Sequence, residues 1–201
     1  GQVFPSTLGN IVLGAEFEDG SVVIGESAIP GARKRVRRLF LWPEHPAAYP
    51  EAVAAILTAN LIVIGPGSLY TSVLPNLLVE GISRAVRQAR AVKVLVCNVA
   101  TEAGETDRFS VADHVAAIEA QVGCNLFTYV LANDNFQVAL PDGVLVRPAA
   151  GLSNKYRLVE ADVIDAGDPW RHDPGKLARA LLALYYEVGR REPSRRPYPS
   201  V

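Results

Sequence analysis

Short apolar runs alternate along this chain with longer stretches in which apolar side chains recur every three to four positions, the signature of strands and helices taking turns. Leu61 to Ile64, Val92 to Cys97 and Phe127 to Leu131 are too short for helices. They are continuous rather than alternating, as parallel strands covered on both faces are. Between them, Pro50 at a first helical turn with Glu51, Val53, Ile56 and Leu57 predicts a helix ending near Asn60. Leu77, Leu78, Ile82, Ala85, Val86 and Ala89 share one helical face, and Pro75 at or near its start predicts two helical pieces after Ser68 with the break at Pro75. A further helix is expected from Val111 to Val122. The order βαβαβ predicts an α/β fold: a parallel sheet with right-handed crossovers and flanking helices.

Peripheral elements flank this unit. Asn10 to Phe17 and Ser21 to Glu26 surround Glu18-Asp19-Gly20, whose Asp-Gly pair favours positive φ, so a β-hairpin is expected. Val36 to Leu41 reads as another strand. The basic run Arg33 to Arg38 before and within it suits a solvated strand edge that discourages aggregation, with phosphate binding as the alternative. Asp173 and Pro174 suit N-cap and first-turn positions of a last helix, with Leu177, Leu181, Leu184, Tyr185 and Val188 as its apolar stripe ending near Gly189. Residues 132 to 170 are weakly patterned, with short strands expected at Val144 to Val146 and Tyr156 to Val159. The domain is read as residues 1–190 and the remainder, 191–201, as a flexible tail.

The most informative chemistry lies where the first of the parallel strands ends. Gly65 and Gly67 allow close backbone approach and positive φ, Pro66 stiffens the turn, and Ser68 and Thr71 add hydroxyls at the mouth of the next helix. Free amides and the positive end of the helix dipole there favour an anion such as phosphate, while the plainer reading is a tight turn with Ser68 as N-cap. Two orthodox nucleotide loops are disfavoured. A dinucleotide fingerprint requires a third glycine and an acid on the next strand, where this chain has Tyr70 and Asn98, and no Lys-Ser/Thr pair of a Walker loop is present.

In an open α/β sheet, loops from parallel neighbours emerge on one carboxyl edge, so the loop Asn98 to Thr106 is expected beside Gly65 to Ser68. Its Asn98, Thr101, Glu105 and Thr106 can hold a sugar, base or phosphate, or satisfy the loop's own backbone. Ser110-Val-Ala-Asp113 has capping-box spacing, which makes Asp113 structural and His114 a polar contact rather than a proton shuttle. Arg171 is the strong anion ligand near the C-terminal cap. His45, His114 and His172 lack a second ligand at short spacing, so no tight metal site is expected. Ser68 lies outside a Gly-x-Ser-x-Gly elbow and Cys97 has no evident histidine partner, which disfavours hydrolases.

The 201 residues are 49% hydrophobic, enough for one substantial core. A net charge of -1 and a pI near 6.4 give no support to nucleic-acid binding. Two cysteines, no secretory signal and no twenty-residue apolar run lead to the expectation of a cytoplasmic protein with free thiols and no membrane association. The chain starts Gly1-Gln-Val-Phe and contains no methionine, which is expected of part of a longer protein.

Ile62 to Asn76, then Cys97-Asn98, Gly104-Glu-Thr106, Asp113-His114-Val115 and His172-Asp173-Pro174, together resemble the YvcK/CofD-like family over nearly the whole chain. The resemblance implies a Rossmann-like fold. It also implies one of two functions: a gluconeogenesis factor that binds UDP-N-acetylglucosamine-type nucleotides and acts in carbon metabolism and cell shape, or a magnesium-using 2-phospho-L-lactate transferase acting on a deazaflavin in coenzyme biosynthesis. Family members begin with a Gly-Gly-Gly-Thr-Gly phosphate loop that does not occur here, so the chain resembles the C-terminal two thirds. Tyr70, Pro75-Asn76 and Gly104-Glu-Thr106 look closer to the first branch, as does Arg171, which matches an arginine implicated there in UDP-sugar binding. Pro174 stands where some relatives have a phosphorylatable threonine. The implied nucleotide-binding set is Gly65, Pro66, Gly67, Ser68, Thr71, Asn98, Thr101 and Arg171, with no catalytic residue, no tightly bound cofactor, magnesium only in the transferase case, a small-molecule nucleotide or nucleotide-sugar as partner, and a homodimer as a possible assembly.

Overall fold

The computed structural model describes residues 1–140, 143–148 and 151–191. Its centre is a four-stranded parallel sheet made of β4 (Leu61–Ile64), β5 (Val92–Val96), β6 (Tyr129–Asn133) and β7 (Arg157–Ala161), in the order β4-β5-β6-β7. A second sheet is antiparallel, with β1 (Val12–Phe17) between β2 (Val22–Ile24) and β3 (Val36–Trp42). The expected hairpin is thus present, and β3 extends it by a strand on the other side of β1.

Alternation of side chains sorts the parallel strands between two apolar layers. Val92, Val94 and Val96 of β5 and Tyr129 and Leu131 of β6 face α6 (Pro174–Arg191), where they meet Leu184 and Val188. Leu95, Val130 and Ala132 face the opposite way, toward α5 (Val111–Val122) and the inner face of the small sheet, whose Leu13, Ala15, Phe17, Leu39 and Leu41 join the same core. The continuous apolar runs of β5 and β6 follow from this double burial. β4 departs from the expectation of burial on both faces: as the end strand of the sheet it keeps Val63 38% exposed, because α6 packs over the sheet's inner strands.

The remaining helices are α1 (Ala28–Ala32), α2 (Pro50–Thr58), α3 (Leu74–Leu78) and α4 (Glu80–Gln88), and a π-helical turn, Leu69–Val73, leads into α3. The break in the stretch after Ser68 falls at Val79, where ψ is 102°, and not at Pro75. The π turn explains the shift. Val73 N–H donates to the Ser68 carbonyl at 3.0 Å, and the wider turn delivers Pro75 into the first turn of α3, where its missing N–H has no partner to lose.

Two differences concern the weakly patterned region. β7 is a full fourth parallel strand, two residues longer at its end than the expected Tyr156 to Val159. Leu145 forms only an isolated antiparallel bridge with Ala100. The basic run is a paired surface: Arg37 Nη1 lies 2.7 Å from Glu16 and Lys34 Nζ 2.7 Å from Asp19. Gln121 of α5 accepts from the Leu39 N–H at 2.8 Å and donates to the Arg37 carbonyl at 3.0 Å, filling the free edge of β3. Residues 192–201 of the expected tail lie outside the described residues. Among the described residues, no helix is long and apolar enough to cross a membrane.

Candidate functional site

β4 and β5 pair in parallel with Ile64 opposite Leu95, so both chains leave the sheet at one edge and the loops that follow them meet there. Gly65 has φ +76°, and a Cβ on it would sit 3.1 Å from the Val96 carbonyl oxygen. Only glycine brings the first turn this close to the neighbouring strand. Asn98, two residues past β5, ties the two loops together. Its Oδ1 lies 3.4 Å from the Gly67 N–H, its Nδ2 donates to the Gly67 carbonyl at 3.2 Å, and the same Nδ2 donates to Glu102 at 2.9 Å.

A third loop reaches the same edge. β7 runs parallel to β6, and the segment after it, Asp162 to His172, folds back over the ends of the strands before α6 starts. His172 Nε2–H donates to the Cys97 carbonyl at 3.1 Å, which anchors this segment to the end of β5. Burial pulls the His172 pKa below its usual value, so the ring is neutral and serves as a hydrogen-bond donor here. Asp173 accepts from the Lys176 N–H at 2.8 Å as the N-cap of α6.

These three loops enclose a cleft of about 390 Å³. Pro66, Gly67, Asn98 and Glu102 line one part of it, Trp170, Arg171 and His172 another, with Val99, Ala100 and Leu177 also in its walls. The Arg171 side chain is 79% exposed and pairs with Asp168 at 3.1 Å. An exposed pair of this kind is worth about 1 kcal/mol or less, so the guanidinium can exchange partners at little cost.

The other residues singled out from sequence lie elsewhere. The Thr71 hydroxyl donates to Glu105 at 2.8 Å, and the neighbouring Tyr70 N–H donates to the second oxygen of the same carboxylate at 3.1 Å. The anion at this helix mouth is therefore supplied by the chain itself. Burial raises the Glu105 pKa and, with Glu105 beside it, pushes Tyr70 up to about 12. Both face a separate hollow between the small sheet and α5 that is shared with Arg35 and Arg37. Ser68 contributes its carbonyl to the π turn, and its hydroxyl makes no capping bond. Thr101 is buried with its N–H on the Val144 carbonyl, and Thr106 is fully buried with its hydroxyl accepting from the Glu102 N–H at 2.8 Å. Much of the second loop thus satisfies its own backbone, which the sequence left open.

Glu102 and Trp170 were not picked out from sequence. A signal existed for each: Glu102 lies four positions after Asn98 in the same polar loop, and Trp170 adjoins Arg171. Ser110 and Asp113 form the expected capping box. The His114 ring is buried behind it, with Nδ1–H donating to the Ser110 carbonyl at 2.8 Å. Among the described residues no group of three or more His, Cys, Asp or Glu side chains is placed to hold a metal. Among the described residues, one carboxylate, Glu102, lines the cleft.

Comparison with known proteins agrees with this architecture. The family model described as 2-phospho-L-lactate transferase CofD matches residues 1–180. The gluconeogenesis factor of Bacillus subtilis is 40% identical over 200 residues, covering 93% of this chain and 62% of its own length. That of Listeria innocua is 42% identical over 191 residues, covering 92% of this chain and 59% of its own length. A crystal structure of a member of the UPF0052 family from Bacillus halodurans superposes with a TM-score of 0.81 at 37% identity, over 90% of this chain and 62% of that one. The chain thus spans about three fifths of the length of these relatives. With the family model matched over most of its length and the parallel sheet reproduced in a solved relative, the chain belongs to the YvcK/CofD-like family, alongside the gluconeogenesis factors.

Proposed function

We propose that this protein is a nucleotide-sugar-binding regulator of carbon metabolism and cell shape in the cytoplasm, with UDP-N-acetylglucosamine or a close analogue as ligand. The observation that carries this reading is the cleft in which Asn98 joins the glycine turn to the second loop beside an exposed arginine. A diphosphate is suited to it: the Gly67 N–H, held only at 3.4 Å by Asn98, can turn to a ligand as a neutral donor, Asn98 keeps the glycine turn in place, and Arg171 supplies a positive charge that can bind two oxygens at once. Glu102 accepts hydrogen bonds from sugar hydroxyls. Pro66 and His172 shape the walls. Thr71 takes no direct part, since its hydroxyl already serves Glu105. The relatives' designation as gluconeogenesis factors supports a role in carbon metabolism.

Calorimetry of the full-length protein with UDP-N-acetylglucosamine tests the reading. Arg171→Ala is expected to weaken binding about tenfold or more, the usual effect of removing a charged hydrogen bond, and to leave the circular dichroism unchanged because the side chain is exposed. No binding at millimolar ligand overturns it. The family description favours a second reading, phospholactyl transfer to a deazaflavin, in which the same cleft stabilises charge at phosphorus. Full-length protein incubated with a deazaflavin, the activated phospholactyl nucleotide and magnesium yields product only under that reading.

A further inference from the structure

The proposed ligand has a diphosphate, for which the cleft has evident partners, and a base, for which the family resemblance names no residue in this chain. Among the described residues, Trp170 is the large aromatic group in the cleft wall, immediately before Arg171. It is 47% exposed, an unusual degree for an indole, and it lines the cavity. The buried part is held. The tip of the ring, Cη2, lies against Gly143, where an added Cβ would sit 2.5 Å from it, and Leu140 crowds the same point, with Cδ2 2.6 Å from that Cβ position. Glycine at 143 is thus what lets the indole lie back against the chain. An aromatic seated at its tip and about half exposed in the wall of a cleft has the form of a stacking surface, because every nucleobase has a π-face that such a ring can cover with little dependence on sequence.

On the nucleotide reading above, we propose that Trp170 is the platform on which the base stacks, with Arg171 next to it holding the diphosphate. One side chain then selects the planar end of the ligand and its neighbour the charged end. Adjacent positions along the chain suit adjacent parts of a nucleoside diphosphate. Glu102, in the same cleft, has a free choice of ribose or sugar hydroxyls as donors.

The chain has two tryptophans, and Trp42 lies on the small sheet, 68% exposed and outside the cleft. In full-length protein carrying Trp42→Phe, fluorescence therefore reports on Trp170 among the residues of this chain. Titration with UDP-N-acetylglucosamine and with UDP is expected to quench this emission. N-acetylglucosamine 1-phosphate, which has no base, is expected not to. By calorimetry, Trp170→Leu should lose about tenfold or more in affinity for UDP, and Trp170→Tyr should restore most of it. Binding of UDP by calorimetry without quenching, or with affinity unaltered in Trp170→Leu, overturns the stacking role and leaves the nucleotide reading standing. Absence of any calorimetric binding by the wild type overturns both.

Discussion

Glu105, Thr71 and His114 show how polar residues near a ligand cleft are divided between the ligand and the fold. Glu105 binds Thr71 and the Tyr70 amide, and so clamps the second loop onto the helix that follows the glycine turn. His114 presents Nδ1–H to an acceptor, since the Ser110 carbonyl cannot donate, and among the described residues its buried Nε2 has no partner. Burial lowers the pKa of both His114 and His172. Below the usual histidine value of 6.5 the unfolded chain takes up protons that these rings refuse, so stability falls as pH drops through that region. Glu105 acts with the opposite sign. Its raised pKa gives a contribution that is full below 4.5 and lost as pH rises through the folded value. The two are separated by His114→Gln, which keeps a donor for the Ser110 carbonyl and does not titrate. The decline of the urea midpoint from pH 7 to 5.5 is expected to be shallower in this variant than in the wild type, and an unchanged slope contradicts the assignment.

At the scale of elements, the loop between β5 and α5 is held from both ends. Asn98 binds its start to the glycine turn, and the Ser110–Asp113 capping box closes its end. In between, Gly104 has φ +82°, and a Cβ there would lie 2.3 Å from the Pro30 carbonyl oxygen. Backbone does not yield to such a contact. Gly104→Ala is expected to cost about 1–3 kcal/mol from conformation alone, with the collision adding to it, as measured by chemical denaturation. A loss below half a kcal/mol would mean that the loop reaches Pro30 less closely. The π turn after Ser68 is the other element that matters to the cleft, because it determines where the first loop ends and turns Thr71 toward Glu105.

For the whole molecule, β6 is the hinge of the packing. Val130 faces the layer shared with the small sheet, Leu131 faces α6, and both are fully buried. Leu131→Ala removes apolar contacts in the layer that seats α6, and the expected loss is about 2–5 kcal/mol by denaturation. Since α6 begins at the cap that follows Arg171, loosening it also reaches the cleft. The weaker packing at β4, with Val63 exposed, makes the same kind of truncation less costly there.

Local patterning alone determined the helices that begin at Pro50, Val111 and Pro174, the last of which runs to Arg191, two residues past the expected end near Gly189, together with the strand at Leu61–Ile64 and the hairpin around Asp19-Gly20, because periodicity, caps and turn chemistry act within a few residues of one another. The parallel order of β4 and β5, and hence the meeting of their two loops, also followed from the sequence through the crossover rule. Only the tertiary structure decided which hydroxyls and carboxylates face the cleft. Thr71 and Glu105 satisfy each other across 34 positions of chain, and Trp170 and Arg171 arrive beside Gly67 from about a hundred residues away because β7 joins the sheet. Such partners have no local signature, since their pairing depends on how strands are ordered and on which polar groups burial forces to find one another.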